Sequence, residues 1–394
     1  MMIPERPSLE RRVLAAIESS PPRIPVLLGG CGSGRTSVLL RLRDLIGRSA
    51  CQYLDFERLA TTPERGLADV RAALAAPPAP GRAGGEGGPR EAFAATLAAL
   101  DTWRAPGGAP ATFLLDEFLE LRTFESFPGL RTVLRDLLAA LDSSGNRFVL
   151  STRYTARALR LLRDAPARFE IVHAAPLTPT EIRATLPAMT EGAGTPGTLH
   201  EAEEDRARDD LAAAVHALSD GRPLYARLIA ETALTTGHHG APDPVSALAA
   251  LLAPGGRLAA ACRFSYELRL HRARGYGALK AILDVLAAEE PLTLTEIALR
   301  LRRTPGSTKD YLSWLEDVDL IVSRQKRYSV ADPMMRLWVR LHGRPAPPEE
   351  DDVAREVHAF VMARLPQAEP ALALAGPPAA EDARARSWGI IEID

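Results

Sequence analysis

The sequence predicts an α/β fold: a parallel sheet flanked by helices, then an all-helical segment, then a small helix-and-hairpin unit. Three observations lead there. Over the first half of the chain, short and continuously apolar runs alternate with amphipathic stretches of helical period. That is the pattern of a sheet buried on both faces by helices. From about Asp205 the apolar runs stop and helical period takes over. Near the end, a hairpin pattern over Ile321–Val330 follows three short helical stretches.

In chain order, strands are expected at Pro25–Leu28, Cys51–Asp55, Thr112–Asp116, Phe148–Thr152 and Glu170–His173. Helical patterns between them include Arg35–Ile46, Ala92–Trp103 and Leu130–Leu141. Residues 77–90 (PPAPGRAGGEGGPR) and 190–204 (TEGAGTPGTLHEAEE) read as surface loops, the first because Pro and Gly break regular structure. Helices are then expected at Leu211–Ser219, Pro223–Thr235, Pro244–Leu252 and Leu258–Arg274. Ala278–Ala288, Leu294–Leu301, Thr308–Val318 and the hairpin follow, in the order of a winged helix. After Arg344 comes PAPPEEDD, a helix around Val353–Leu365, and a Pro/Ala-rich tail ending in SWGIIEID. The expected division is residues 1–204, a helical segment 205–275, a winged helix 276–343, and a helix with tail 344–394.

Composition narrows the class. A net charge of −2 gives no global argument for a nucleic-acid partner, so any basic surface must be local. The three cysteines, Cys31, Cys51 and Cys262, have no CxxC or zinc-like spacing, and MMIPERPSLERR is too polar for an export signal. The expectation is a cytoplasmic protein with no membrane span and no structural metal; the histidines show no HExxH spacing.

The segment VLLGGCGSGRTSVLLRL reads as strand, glycine-rich turn, helix. Gly29, Gly30, Gly32, Ser33, Gly34, Arg35 and Thr36 match G-x-x-x-x-G-K-[ST] with arginine in the lysine's place, and Ser37 follows. Glycines let backbone N–H groups wrap phosphates, the helix start adds partial positive charge, and Thr36 offers a hydroxyl to Mg²⁺. In TFLLDE (112–117), Asp116 and Glu117 end an apolar strand. Asp116 suits the metal's shell and Glu117 suits polarising an attacking water. A glycine turn or a solvated strand end is common alone. Both in order, each at the end of a parallel strand where such sheets bind ligands, point to ATP with Mg²⁺.

These motifs resemble the signal-transducing P-loop ATPases of the STAND type, related to AAA+ proteins, and within them the archaeal-type ATPases. FVLSTR (148–153) is similar to the sensor strand of that group. The resemblance implies that Ser151 or Thr152, with Arg153, reads the γ-phosphate. Gly221-Arg222-Pro223-Leu224 looks like its GxP motif, with Pro223 near the adenine, and RYSVADPMMRLWVRL (327–341) looks like its winged-helix ending. The resemblance implies a P-loop parallel sheet, an α-helical lid and a winged helix that reports nucleotide state. Arg35 departs from the pattern. Its guanidinium is larger and more delocalised than an ammonium, so phosphate binding can survive while hydrolysis slows.

The third helix of the last unit carries Lys309 but also Asp310, Glu316, Asp317 and Asp319, which suits a phosphate surface poorly. Arg302, Arg303, Arg324, Lys326 and Arg327 supply its only clustered cations. Trp388, Ile390, Ile391 and Ile393 in the tail alternate as an added strand would, or fold back on the protein itself. The leading expectation is a nucleotide-dependent regulatory switch with slow ATP hydrolysis, bound to ATP or ADP and to a protein partner. A DNA-binding regulator and an inert nucleotide-bound scaffold are the alternatives.

Overall fold

The structure is a computed structural model describing residues 6–74, 88–186, 198–236, 242–271, 275–344 and 346–365. The SWGIIEID tail lies outside the described residues. Helix α1 (Pro7–Glu18) leads into β1 (Ile24–Leu28), α2 (Arg35–Ile46), β2 (Cys51–Asp55), α3 (Phe56–Leu59), α4 (Pro63–Ala73) and α5 (Pro89–Thr102). Next come β3 (Thr112–Asp116), 3₁₀ turns over Phe118–Ser126, α6 (Val133–Ser143), β4 (Arg147–Thr152), α7 (Thr155–Leu162), β5 (Phe169–His173) and α8 (Pro179–Thr185).

The five strands form one parallel sheet in the order β2-β3-β4-β1-β5. All five residues of β1 and of β3 are buried, as a sheet covered on both faces requires. Alternation assigns the faces: Leu27, Leu114, Val149 and Val172 pack under α1 and α2, whereas Val26, Phe113, Leu115 and Phe148 face the other layer. On that side Trp103, Phe113 and Phe148 make a run of ring contacts at 5.8 and 5.5 Å. The chain leaves β1 for the far edge and later crosses over it to reach β5. The loops after β1, β3 and β4 therefore meet at one switch point.

Then follow α9 (Thr198–Ser219), α10 (Pro223–Thr236), α11 (Pro244–Leu252) and α12 (Arg257–Leu270). The last unit is α13 (Tyr276–Ala288), β6 (Leu292–Thr293), α14 (Leu294–Arg300), α15 (Pro305–Asp317), β7 (Ile321–Arg324), β8 (Arg327–Val330) and α16 (Pro333–His342). Here β8 pairs antiparallel with both β6 and β7. Helix α17 (Glu350–Met362) packs on α11 and α16. Many helices start with the same device. Thr62–Pro63, Thr178–Pro179, Asp243–Pro244, Thr304–Pro305 and Asp332–Pro333 each set a capping side chain before a proline in the first turn. Each cap contributes about 1 kcal/mol by satisfying amides that have no partner inside the helix.

Three sequence expectations need correction. Residues 198–204 are helical, so α9 runs through the expected 204/205 boundary. Ala and Glu in TLHEAEE are good helix formers, and charge alone is not a loop signal. Pro89 and Arg90 belong to α5, with Pro89 in its first turn. Glu350, Asp351 and Asp352 open α17 rather than ending a loop, since carboxylates favour a helix N-terminus. Among the described residues no single helix is long and apolar enough to cross a membrane.

Candidate functional site

From β1 the chain turns through Gly29–Gly34 into α2. Gly32 and Gly34 hold φ of 77° and 81°, which side chains disfavour. The loop is also crowded. A Cβ on Gly29 would stand 2.7 Å from Ser33 Oγ, and one on Gly32 would stand 3.1 Å from Leu224 Cβ.

At Gly29 the crowding comes from Ser33 and Ala174, and at Gly30, Gly32 and Gly34 from Arg222 and the start of α10. The Leu224 N–H donates to Gly32 O at 3.1 Å, Pro223 lies against Gly34, and Arg222 Nη1 sits 3.5 Å from Cys31 O. Gly221 makes this approach possible. Its φ is 64°, a Cβ there would fall 2.3 Å from Leu177 O, and its own carbonyl accepts from Leu177 N–H at 2.7 Å. A cavity of about 300 Å³ opens between loop and helix, lined by Gly32–Ser37 with Pro223, Leu224 and Arg227.

Asp116, at the buried end of β3, gathers hydroxyls. Thr36 Oγ1 and the Tyr53 hydroxyl each donate to Oδ2 at 2.8 Å, and Ser151 Oγ donates to Oδ1. Burial and the neighbouring Asp116 carboxylate push the Tyr53 hydroxyl's pKa up, so it stays a donor. Thr36 and Asp116 offer the hard oxygen ligands Mg²⁺ takes, so these residues fit the cation. Of the two sensor-strand hydroxyls, Ser151 faces Asp116, while Thr152 Oγ1 accepts the Tyr154 N–H at 3.2 Å.

Arg35 is turned inward. Its Nη1 donates to the carbonyls of Gly29 and Gly30 and to Ser33 Oγ at 3.1 Å, and its Nη2 stands 2.5 Å from Glu117 Oε1. Glu117, in a left-handed conformation at φ 51°, spends both oxygens on arginines. Oε1 is 3.1 Å from Arg153 Nε, and Oε2 accepts the Arg153 backbone N–H at 3.0 Å. Arg153 continues to Glu57. The result is a chain of alternating charge, Arg35–Glu117–Arg153–Glu57, buried up to Glu57, which is about a third exposed. Burial works against the Arg153 charge, but Glu117, Cys31 and Glu57 outweigh it and raise its pKa.

Cys31, half-buried in the loop, is also near charge. Burial raises its thiol pKa, but Arg269 and Arg153 outweigh that and bring it below the ordinary value. Burial takes Cys51 up to about 12, and it raises Cys262 as well.

The last unit touches this site twice. Asp332 caps α16, accepts the Tyr225 hydroxyl at 2.8 Å and pairs with Arg222 at 3.1 Å. Asp319 Oδ1 accepts the Ala156 N–H at 3.1 Å at the start of α7, just after Arg153. Asp317 pairs with Arg160 and lies 4.0 Å from Arg157, while the buried Arg269 donates to Asp319 O at 2.8 Å.

The structure thus gathers Gly29–Ser37, Asp116, Glu117, Arg153, Gly221 and Pro223 at one switch point. The sequence reading missed Arg6, whose Nη1 donates to Ser33 O at 3.1 Å, and also Tyr53, Glu57 and Arg269. Only Arg269 left a signal: an arginine among the apolar positions of α12 that proves almost wholly buried.

No protein-family model matches the chain, and no curated protein matches it. Solved structures do. A Walker-type ATPase of Pyrococcus abyssi is 18% identical with a TM-score of 0.58, over 86% of this chain and 96% of that one. That likeness shows a shared P-loop ATPase fold. A STAND protein with a tetratricopeptide repeat sensor from Pyrococcus horikoshii (17% identity, TM-score 0.33) spans 90% of this chain and 45% of its own. The RuvB Holliday junction branch migration motor of Thermotoga maritima (13% identity, TM-score 0.40) spans 83% and 92%. Both scores are too low to carry an argument.

Proposed function

We propose that the chain binds ATP and Mg²⁺ at the ends of β1 and β3 and works as a nucleotide-dependent switch that hydrolyses ATP slowly. The observation that carries this reading is the occupation of Glu117 by Arg35 and Arg153. A carboxylate whose oxygens are taken up by two buried arginines is not free to orient an attacking water. Phosphate oxygens entering the loop compete for the same arginines and release Glu117 as they do so. Substrate binding and activation of the base are then one exchange of partners. Thr36 and Asp116 hold the metal, which neutralises phosphate charge.

Residues 276–343 act in this reading as a winged helix that senses the nucleotide and presents a surface to a protein partner. Asp332 beside Arg222 and Asp319 on α7 support it. The same contacts weigh against DNA reading, because Asp317 at the end of α15 is engaged with α7. Turnover by wild type and Arg35→Lys tests the proposal. A lysine leaves Glu117 less firmly held, so the variant should turn over faster; equal and brisk hydrolysis by both proteins refutes it.

A further inference from the structure

We propose that a second cavity, between α12, α13 and the end of α16, binds a small planar anion: an aromatic ring bearing a carboxylate or a phosphate. Its volume is about 440 Å³, larger than the cavity at the phosphate loop and within the ~300–1,000 Å³ usual for small-molecule sites. One wall is aromatic. Trp338 and Tyr266 stand 5.1 Å apart, centroid to centroid, and Tyr276 also lines the space. His342 stacks on Trp338 at 5.6 Å and both Trp338 and Tyr266 are buried, so the ring left to take a flat ligand is Tyr276, 41% exposed, with the other two closing the wall behind it.

The polar groups are mostly donors. Arg263 and Lys280 line the cavity, and among the described residues Arg263 forms no ion pair. The Trp338 indole N–H, a donor only, has no hydrogen-bond partner among the described residues. The carboxylate in the lining, Glu267, is already engaged by the Tyr276 hydroxyl at 3.1 and 3.2 Å. Asp284, outside the lining, offsets part of the Lys280 charge. The lining sets two cations against the one carboxylate of Glu267 and adds the Trp338 N–H as a donor, which favours an acceptor-rich, negatively charged ligand.

The cavity is also placed to act. Helix α16 starts at Asp332, the partner of Arg222 and Tyr225 beside the phosphate loop, and ends at the cavity about 15 Å away. This coupling rests on the nucleotide reading; the binding itself does not.

Calorimetry with naphthoate, naphthyl phosphate and neutral naphthalenemethanol tests the binding, with ATP and Mg²⁺ saturating. A separate ATP titration reports on the nucleotide site by itself. One anion should bind at least about tenfold more tightly than the neutral control. Which anion binds identifies the charged group. The double variant Arg263→Ser/Lys280→Gln, at solvent-accessible positions, should lose about tenfold in affinity while keeping the wild-type urea midpoint. Three results overturn the proposal: neither anion outbinding the neutral compound, an unchanged affinity in the double variant, or anion binding seen only when ATP is left out.

Discussion

Replacing Glu117 with glutamine keeps the side chain's shape and removes one charge from a chain of four, three of them buried. Both Arg35 and Glu117 have side chains under a tenth exposed, so the pair is poorly screened by water. Breaking a buried pair by removing one partner costs about 3–5 kcal/mol. Two features lower that figure here. Arg35 keeps the Gly29 and Gly30 carbonyls, and Arg153 keeps Glu57. We therefore expect a loss of about 2–3 kcal/mol in the nucleotide-free protein. The surplus positive charge left behind should favour polyphosphate. ATP should then restore more stability to the variant than to wild type, while turnover falls. Urea unfolding with and without ATP and Mg²⁺ measures both quantities, because a ligand stabilises by about 2.7 kcal/mol at a hundred times its Kd. An ATP-free variant as stable as wild type, with the same ATP-induced gain, would refute the account of Glu117 as the site's internal counter-ion.

Other outcomes follow from the same contacts. Gly221→Ala should cost at least about 2 kcal/mol, because φ is positive and its Cβ meets Leu177 O; a urea midpoint within error of wild type counts against that packing. An alkylating reagent should modify Cys31 well before Cys51 or Cys262, and ATP should slow it; peptide mapping that finds Cys51 first sinks the assignment. Burial raises the Asp319 carboxyl's pKa despite its bond from Ala156. Folding therefore takes up a proton there. Its contribution to stability grows as pH falls through the raised value and levels off below the ordinary 3.8. Asp319→Asn should flatten that part of the pH profile of unfolding, and identical profiles would show that Asp319 is not its source.

Much of this was legible in the sequence where the physics is local. Each of the five strands lies within a residue of its expected bounds, because a buried parallel strand must be a short apolar run. The phosphate loop and Asp116–Glu117 could be read because glycine freedom and strand-end carboxylates are properties of contiguous residues. The direction of Arg35 could not. It depends on Glu117 and Arg153, which the chain supplies from β3 and β4. Tyr53, Glu57 and Arg6 were invisible for the same reason, since only strand order brings them to the loop. The helical start of α9 is hidden by its own polarity, since five of the seven residues over 198–204 are polar although alanine and glutamate favour helix.

The position of β1 in the sheet also bears on how the protein reaches this state. Its neighbours are β4 and β5, so Ile24–Leu28 is made roughly 120 residues before its first partner strand exists. At about 5–20 residues per second, this apolar strand waits on the order of 6–24 s during synthesis with no edge to pair with. Any fragment that stops short of Arg147 leaves it bare. Premature termination in the first third of the chain should therefore yield aggregates, and a helper that shields nascent apolar segments would have its main client site in the strand that later carries the phosphate loop.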